Sequence, residues 1–170
     1  MLTGNPFQRQ LPPSLPKGFQ RTMGCSCKVC SEGFFASVVF SPSYPDRGFT
    51  ITKSLNCRSR NVIYQITCHC GKNYVGRTKN PNHRWANHKS HIRLEERGCN
   101  MANHCIDIHS NTMVGKKKLM KADEVKSLLQ FTLIDSVGED CPASDLKKLE
   151  DRWRDKLSSW VPQGMNTKDD

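Results

Sequence analysis

Two tyrosines, an arginine and a histidine stand at spacings that suit chemistry on a phosphate. Tyr64 and Tyr74 lie ten residues apart, and Arg84 follows after another ten, with His88 four residues later. The last spacing places Arg84 and His88 on one face of a helix. A guanidinium stabilises charge that develops on a phosphate, and an imidazole or a phenol can take a proton from water. Each residue alone is more often structural, because strand tyrosines usually pack and such helical pairs usually face solvent.

Nine cysteines, an odd number, point to metal ligation. The N-terminal residues lack the apolar segment of a secretory signal, so we expect an intracellular protein in a reducing compartment, where disulfide frameworks are rare. Cys27-x-x-Cys30 is expected to combine with His104 and His109 in one tetrahedral structural zinc site. Such an ion would connect the N-terminal segment to the rest of the domain, and the free energy of metal binding would contribute to the stability of the fold.

Other ligand sets remain open from the sequence. Cys25 can replace either thiolate, and Cys57 or the Cys68-x-Cys70 pair can complete another site. In the simplest alternative, both histidines are ordinary surface residues, and several cysteines are small buried apolar side chains.

The charge of the chain favours a polyanionic partner. Lys and Arg total 26 against 16 acidic residues, which gives a formal charge of +10. Neutralising phosphates releases condensed counterions, so such a chain is suited to nucleic acid. No apolar run has the length of a membrane span, and no membrane contact is expected. A basic loop over 115–121 offers four candidate DNA contacts, although a solvated loop explains it equally well: Lys116, Lys117, Lys118 and Lys121.

The elements that position these residues begin with a hairpin. Residues 61–68 (NVIYQITC) and 72–78 (KNYVGRT) are two β-prone runs joined by a short turn. Gly76 in the second run lets another backbone or a phosphate approach closely. Asn80 and Pro81 then open a helix that is predicted to end near residue 97, before Gly98.

The rest of the chain completes a small α+β domain. We expect a strand within 34–40, helices over 99–109 and 123–130, and a strand over 131–135. A final helix capped by Ser144 carries an apolar stripe at Leu146, Leu149, Trp153 and Leu157. This order predicts a three-stranded antiparallel sheet flanked by helices, with an N-terminal zinc-binding appendage. The predicted parts are a flexible Pro-rich leader (1–23), a cysteine-rich zinc-binding segment (24–60), a nuclease-like domain (61–167) and a tail (168–170).

Together these residues resemble the GIY-YIG nuclease family. Its first motif corresponds to residues 62–64 (VIY) and its second to 74–76 (YVG), and the arginine and histidine follow at the family's spacing. Val62 replaces the glycine of the first motif, at a position that contributes backbone and packing. The resemblance implies two further site residues, Glu150 on the final helix and Asn166 after that helix.

The resemblance also implies hydrolysis of DNA phosphodiester bonds with one divalent metal. Glu150 would hold Mg²⁺ or Mn²⁺, because a lone carboxylate with waters suits a hard cation. Tyr64, with His88 as proton acceptor, would activate the attacking water, while Arg84 would stabilise the transition state. Tyr74 would orient the water or the phosphate, and Asn166 would brace the site through a hydrogen bond. The implied catalytic set is Tyr64, Tyr74, Arg84, His88, Glu150 and Asn166.

Within this family, two segments are similar to the endonuclease domain of Penelope-like retroelements: NCRSRNVIYQITCHCGKNYVG and WVPQGMN. The upstream cluster of Cys25, Cys27 and Cys30 is similar as well. This resemblance implies a retrotransposon origin and a nuclear location. The main alternative is a catalytically inactive, zinc-stabilised nucleic-acid-binding module, which the retention of every catalytic side chain argues against. A third possibility is a zinc module that binds proteins and is only incidentally basic.

Overall fold

The computed structural model describes residues 16–109, 112–113, 116–117 and 120–168, with the backbone alone at 112–113 and 116–117. None of the helices in these ranges has the length and apolar character to cross a membrane. The strands are β1 (Gly18–Phe19), β2 (Val38–Ser41), β3 (Tyr44–Thr50), β4 (Ser54–Leu55), β5 (Val62–Cys68), β6 (Asn73–Thr78), β7 (Thr112–Met113), β8 (Lys116–Lys117) and β9 (Leu129–Ser136). The helices are α1 (Lys28–Glu32), α2 (Pro81–Arg93), α3 (Asn100–His109), α4 (Ala122–Leu128) and α5 (Ala143–Lys156).

The central sheet has three antiparallel strands in the order β6-β5-β9. In the middle strand β5, every residue except Thr67 is buried, which explains its nearly continuous run of apolar and aromatic side chains. Tyr64 pairs across the sheet with Gly76 of β6 and with Leu133 of β9. The predicted small antiparallel sheet of a mixed α and β domain is confirmed, and β9 is longer than the predicted strand.

Helix α2 covers the sheet face that carries Tyr64. Its first turn is capped by Asn80, whose side chain accepts the His83 backbone N–H at 3.1 Å, and Pro81 fits the first turn. The predicted end near residue 97 is wrong by about one turn. Glu95 adopts a left-handed conformation (φ 53°), and the backbone N–H groups of residues 95 and 96 bond back to carbonyls of the last turn. These bonds end the helix at Arg93.

Helix α5 packs against β5 and β6. It begins at Ala143, with Pro142 at the cap position, so Ser144 is not its cap. Its apolar stripe is largely as predicted: Leu146, Trp153 and Leu157 are buried, and Leu149 is partly buried. The Trp153 indole N–H donates to Asp135 Oδ2 at 2.8 Å, which ties the helix to β9.

The N-terminal region joins the same core and is not an appendage. Phe19 is buried, and β1 pairs in parallel with β4, so ordered structure begins before the predicted end of the leader at residue 23. Val29, Ile51 and Leu55 share one apolar cluster with β5 and β9. The predicted strand within 34–40 begins only at Val38. Residues 1–15 of the predicted leader and residues 169–170 of the tail lie outside the described residues.

Candidate active site and metal clusters

A cleft of about 540 Å³ opens beside the edge strand β6, with lining residues from α2 and α5. Four residues predicted from the sequence line it: Tyr64, Tyr74, Arg84 and Glu150. His88 and Asn166 are buried and are not among the lining residues. The cleft therefore unites the tyrosines of the hairpin, the arginine of α2 and the carboxylate of α5.

Tyr64, in the wall of the cleft, and His88, which does not line it, form a buried pair. The Tyr64 hydroxyl lies 2.7 Å from His88 Nε2, and the two side chains are almost fully buried. Burial raises the pKa of Tyr64 well above its usual value, and Tyr74 adds to this effect. Burial, together with the positive charge of Arg84, lowers the pKa of His88 to about 3. At neutral pH the pair is thus a neutral phenol beside a neutral imidazole, with the two groups within hydrogen-bonding distance.

Gly76 is the cross-strand neighbour that makes room for the Tyr64 ring. A Cβ at this position would clash with the Tyr64 hydroxyl and ring and would lie 2.9 Å from Cε1 of Tyr74. The sequence suggested that a backbone or a phosphate approaches this glycine, but a catalytic-candidate side chain does so instead. The glycine of the second motif therefore fixes the position of the Tyr64 hydroxyl at the cleft.

Glu150 is 3% exposed and is held by two arginines. Arg77 of β6 forms an ion pair with one carboxylate oxygen, and Arg154 approaches the other at 3.2 Å. Arg154 is itself 1% exposed, lies 3.6 Å from Asp151, and stacks over the Trp160 ring at 5.1 Å. Sequence reasoning missed both arginines. The i, i+4 spacing from Glu150 could have indicated Arg154.

Asn166 fixes the outer edge of β6. Its side chain accepts the Val75 backbone N–H at 2.8 Å and donates to the Val75 carbonyl at 2.9 Å. These two bonds complete the hydrogen bonding of Val75 within the second motif. Val62, at the position of the missing motif glycine, is fully buried opposite Thr78, where a β-branched side chain fits the sheet.

The first cysteine cluster consists of Cys25, Cys27, Cys30 and Cys57, whose sulfur atoms all lie within 4.8 Å of one another. Cys57 comes from the loop after β4, while the other three surround the start of α1. Burial raises the pKa of the Cys57 thiol to about 12, so a cation is needed to stabilise its thiolate. Four thiolates at this separation suit a tetrahedral zinc ion.

The second cluster joins the hairpin turn to α3. Cys68 Sγ lies 3.2 Å from His109 Nε2, and Cys70 Sγ lies 3.2 Å from His104 Nε2. All four ligand atoms again lie within 4.8 Å of one another. The prediction that Cys27 and Cys30 share one site with these histidines is wrong. The reason is tertiary: α1 packs against α2, whereas the histidines of α3 face the turn between β5 and β6.

Of the four lysines predicted to contact DNA, the structure describes the side chain of Lys121 alone. Lys118 lies outside the described residues, as do the side chains of Lys116 and Lys117, whose backbone forms β8 in place of the predicted loop. Lys121 is exposed just before α4, where its backbone N–H donates to Glu124 at 2.6 Å. Their role at DNA stays a prediction.

Comparison with known proteins identifies the family to which the central part of the chain belongs. The family model of the GIY-YIG catalytic domain matches residues 60–160, which include the hairpin, α2 and most of α5. Neither the curated proteins nor the solved structures compared with the chain gave a match. Because the matched region covers more than half of the chain and contains all the residues that line the cleft, this protein belongs to the GIY-YIG family of nuclease domains.

Proposed function

We propose that this protein is a metal-dependent endonuclease that hydrolyses phosphodiester bonds of DNA. The observation that carries the proposal is the single cleft lined by Tyr64, Tyr74, Arg84 and Glu150. The family supplies the nuclease chemistry, and the net charge of +10 supports a nucleic-acid substrate.

Glu150 is the residue that would hold the divalent cation, Mg²⁺ or Mn²⁺. Its carboxylate lines the cleft, and carboxylate oxygens together with water molecules suit such a hard ion. The bound ion would act as a Lewis acid at the phosphate and the leaving oxygen. Without the ion, Arg77 and Arg154 balance the charge of Glu150. Arg77 is half-exposed and can turn toward a phosphate, whereas Arg154 is buried and keeps the carboxylate oriented.

The Tyr64–His88 pair provides a route for the proton of the attacking water. Because the pKa of Tyr64 is raised, a free phenolate is scarce at neutral pH. The hydroxyl instead passes its proton to His88 Nε2 while its oxygen accepts the proton of water. Burial is the main cause of the low pKa of His88 and the charge of Arg84 is the second, so a phosphodiester bound at Arg84 would offset the second cause and make His88 a stronger base. Arg84 then stabilises the charge that develops on the phosphate.

The proposal extends to origin and location. The hairpin sequence, the ending over 160–166 and the upstream cysteines are similar to the endonuclease domain of Penelope-like retroelements. We therefore infer descent from a retrotransposon nuclease and action in the nucleus, where its DNA substrate would lie.

Wild-type protein should nick or linearise supercoiled plasmid when Mg²⁺ or Mn²⁺ is added, and not when the ion is omitted. Omission is a better control than a chelator, since chelators also strip structural zinc. The alternative function, an inactive DNA-binding module, is favoured by the two arginines that occupy Glu150. The test uses folded protein, with Mg²⁺ and with Mn²⁺, on supercoiled, linear and single-stranded DNA. Binding without cleavage in every case would establish that alternative.

We also propose that each cysteine cluster holds one structural zinc ion. Purified protein should then contain about two zinc ions per chain, one for each tetrahedral set. Cys57→Ser and Cys68→Ser should each reduce this to about one and lower the melting temperature, because metal binding contributes to folding. Zinc content by mass spectrometry of the native protein measures the outcome.

Cys141→Ser is the matched control, since Cys141 is exposed and belongs to neither cluster. It should leave zinc content and melting temperature unchanged. A wild-type content of about one zinc that both cluster variants abolish would indicate a single shared site, against the two-site assignment.

A further inference from the structure

A second concavity, of about 410 Å³, lies beside the active-site cleft. Its walls come from the loop after β4 and from the start of α2, and they carry Arg58, Arg60, Lys79 and Asn80. Lys79 lines both this concavity and the cleft. The two depressions therefore adjoin each other on the surface, with a cation at their boundary.

The cations of this groove are exposed and available to a ligand. Arg58, Arg60 and Lys79 make no ion pair with any carboxylate in the described part of the chain. None of the described residues that line the groove is acidic. By contrast, the exposed Lys147 and Lys148 of α5 are each paired with an aspartate of their own helix. An unpaired cluster of cations concentrates polyanions near it.

The loop that carries the two arginines is positioned by hydrogen bonds from Asn56 and Asn82 and by the packing of Cys57. Its backbone is closed by Asn56, whose side chain accepts the Arg58 N–H at 2.8 Å. Asn82 of α2 donates to the Cys57 carbonyl at 3.3 Å and accepts the Val29 N–H at 3.0 Å. Cys57 itself belongs to the first cysteine cluster. The cluster and the groove are thus parts of one local structure.

We infer that Arg58, Arg60 and Lys79 form a groove that binds the DNA backbone beside the bond to be cut. This rests on the proposed function. The charges are exposed on an open surface that continues the cleft, which suits an extended polyanion better than a small enclosed anion. Arginine and lysine contacts to phosphates position the duplex without reading its sequence. The bond from Asn82 of α2 to the Cys57 carbonyl keeps the arginine loop next to α2, and a metal held by the first cysteine cluster would support the same arrangement.

The test is the salt dependence of binding to a fluorescent 30-base-pair duplex, measured by anisotropy without divalent ions. Each lost phosphate contact reduces the slope of log K against log salt by about 0.9. Arg58→Ala/Arg60→Ala/Lys79→Ala should therefore flatten the slope by about 2.7, with affinity at low salt falling more than at high salt. Arg58→Lys/Arg60→Lys keeps the charges and should retain the wild-type slope.

Lys147→Ala/Lys148→Ala/Arg152→Ala is the matched control. It removes the same formal charge from an exposed face of α5 that does not line either depression. It should change the slope by less than about half of the amount expected for one phosphate contact. An equal slope for the groove variant and wild type, or equal losses in groove variant and control, overturns the inference. Wild-type protein that binds no DNA would instead overturn the proposed function.

Discussion

Glu150→Gln should reduce DNA cleavage by roughly a thousandfold while DNA affinity stays within a few-fold of wild type. Glutamine keeps the shape of the side chain but removes the charge that would hold the divalent ion. A metal acting as Lewis acid contributes several kcal/mol to transition-state stabilisation, and each 1.4 kcal/mol corresponds to about tenfold in rate. Single-turnover cleavage of plasmid at saturating Mg²⁺, with affinity measured separately, distinguishes loss of chemistry from loss of binding.

The same substitution has a structural consequence that must be measured. Glu150 balances Arg154, which is almost fully buried, and leaving such a charge without its partner costs about 3–5 kcal/mol. Asp151, 3.6 Å away, retains part of this balance. Cleavage should therefore be compared at a temperature at which melting curves show both proteins folded.

Asp151→Asn provides the control for Glu150→Gln. It removes the other carboxylate beside Arg154, yet Asp151 does not line the cleft. This variant should melt somewhat earlier than wild type and still cut DNA at a comparable rate. If the Glu150→Gln protein is folded and cuts DNA like wild type, Glu150 is not the ligand of the catalytic metal.

The central part of the fold was predictable because local patterns and long-range pairing agree there. The run at 62–68 is β-prone, its partner at 73–78 follows a short turn, and β5 becomes the buried middle strand. The end of α2 was not predictable in the same way. Glu95 adopts a left-handed conformation that glycine usually supplies, so the chain leaves the helix before Gly98. The burial of Phe19 likewise depends on a pairing with β4, more than thirty residues away.

Some residues of the candidate site were predictable from the sequence and others were not. Its tyrosines and Arg84 stand at regular spacings in the sequence, Glu150 was implied by the family resemblance, and these residues do meet in one cleft. Arg77 and Arg154 were not predicted; the i, i+4 spacing from Glu150 could have indicated Arg154, whereas Arg77 is identified by its ion pair with Glu150 in the folded structure. The cysteine and histidine pairs were recognisable locally. Which pairs share one metal depends on the packing of α1 and α3, and sequence spacing carries no information on that.

The environment of Tyr64 permits a clean separation of packing from chemistry. Its ring packs against Phe131 at 5.1 Å and against Tyr74 at 6.3 Å between ring centroids, contacts that phenylalanine would keep. The hydroxyl contributes the 2.7 Å bond to His88 Nε2. Removing that oxygen leaves the buried ring nitrogen without its partner, which costs about 1–3 kcal/mol. A stability loss of this size is therefore expected and is not evidence about catalysis.

Tyr64→Phe should lower the cleavage rate by about 10²-fold or more, since positioned proton transfer contributes at least that much. His88→Leu interrupts the same route and should cause a similar loss, and the double variant should be little worse than either single one, because residues of one unit are not additive. Tyr44→Phe, at an exposed tyrosine of β3, is the control and should cut like wild type. Losses that multiply in the double variant would mean that the two residues act separately. A Tyr64→Phe protein that cuts at nearly the wild-type rate would reduce Tyr64 to a packing residue, with the water activated elsewhere in the cleft.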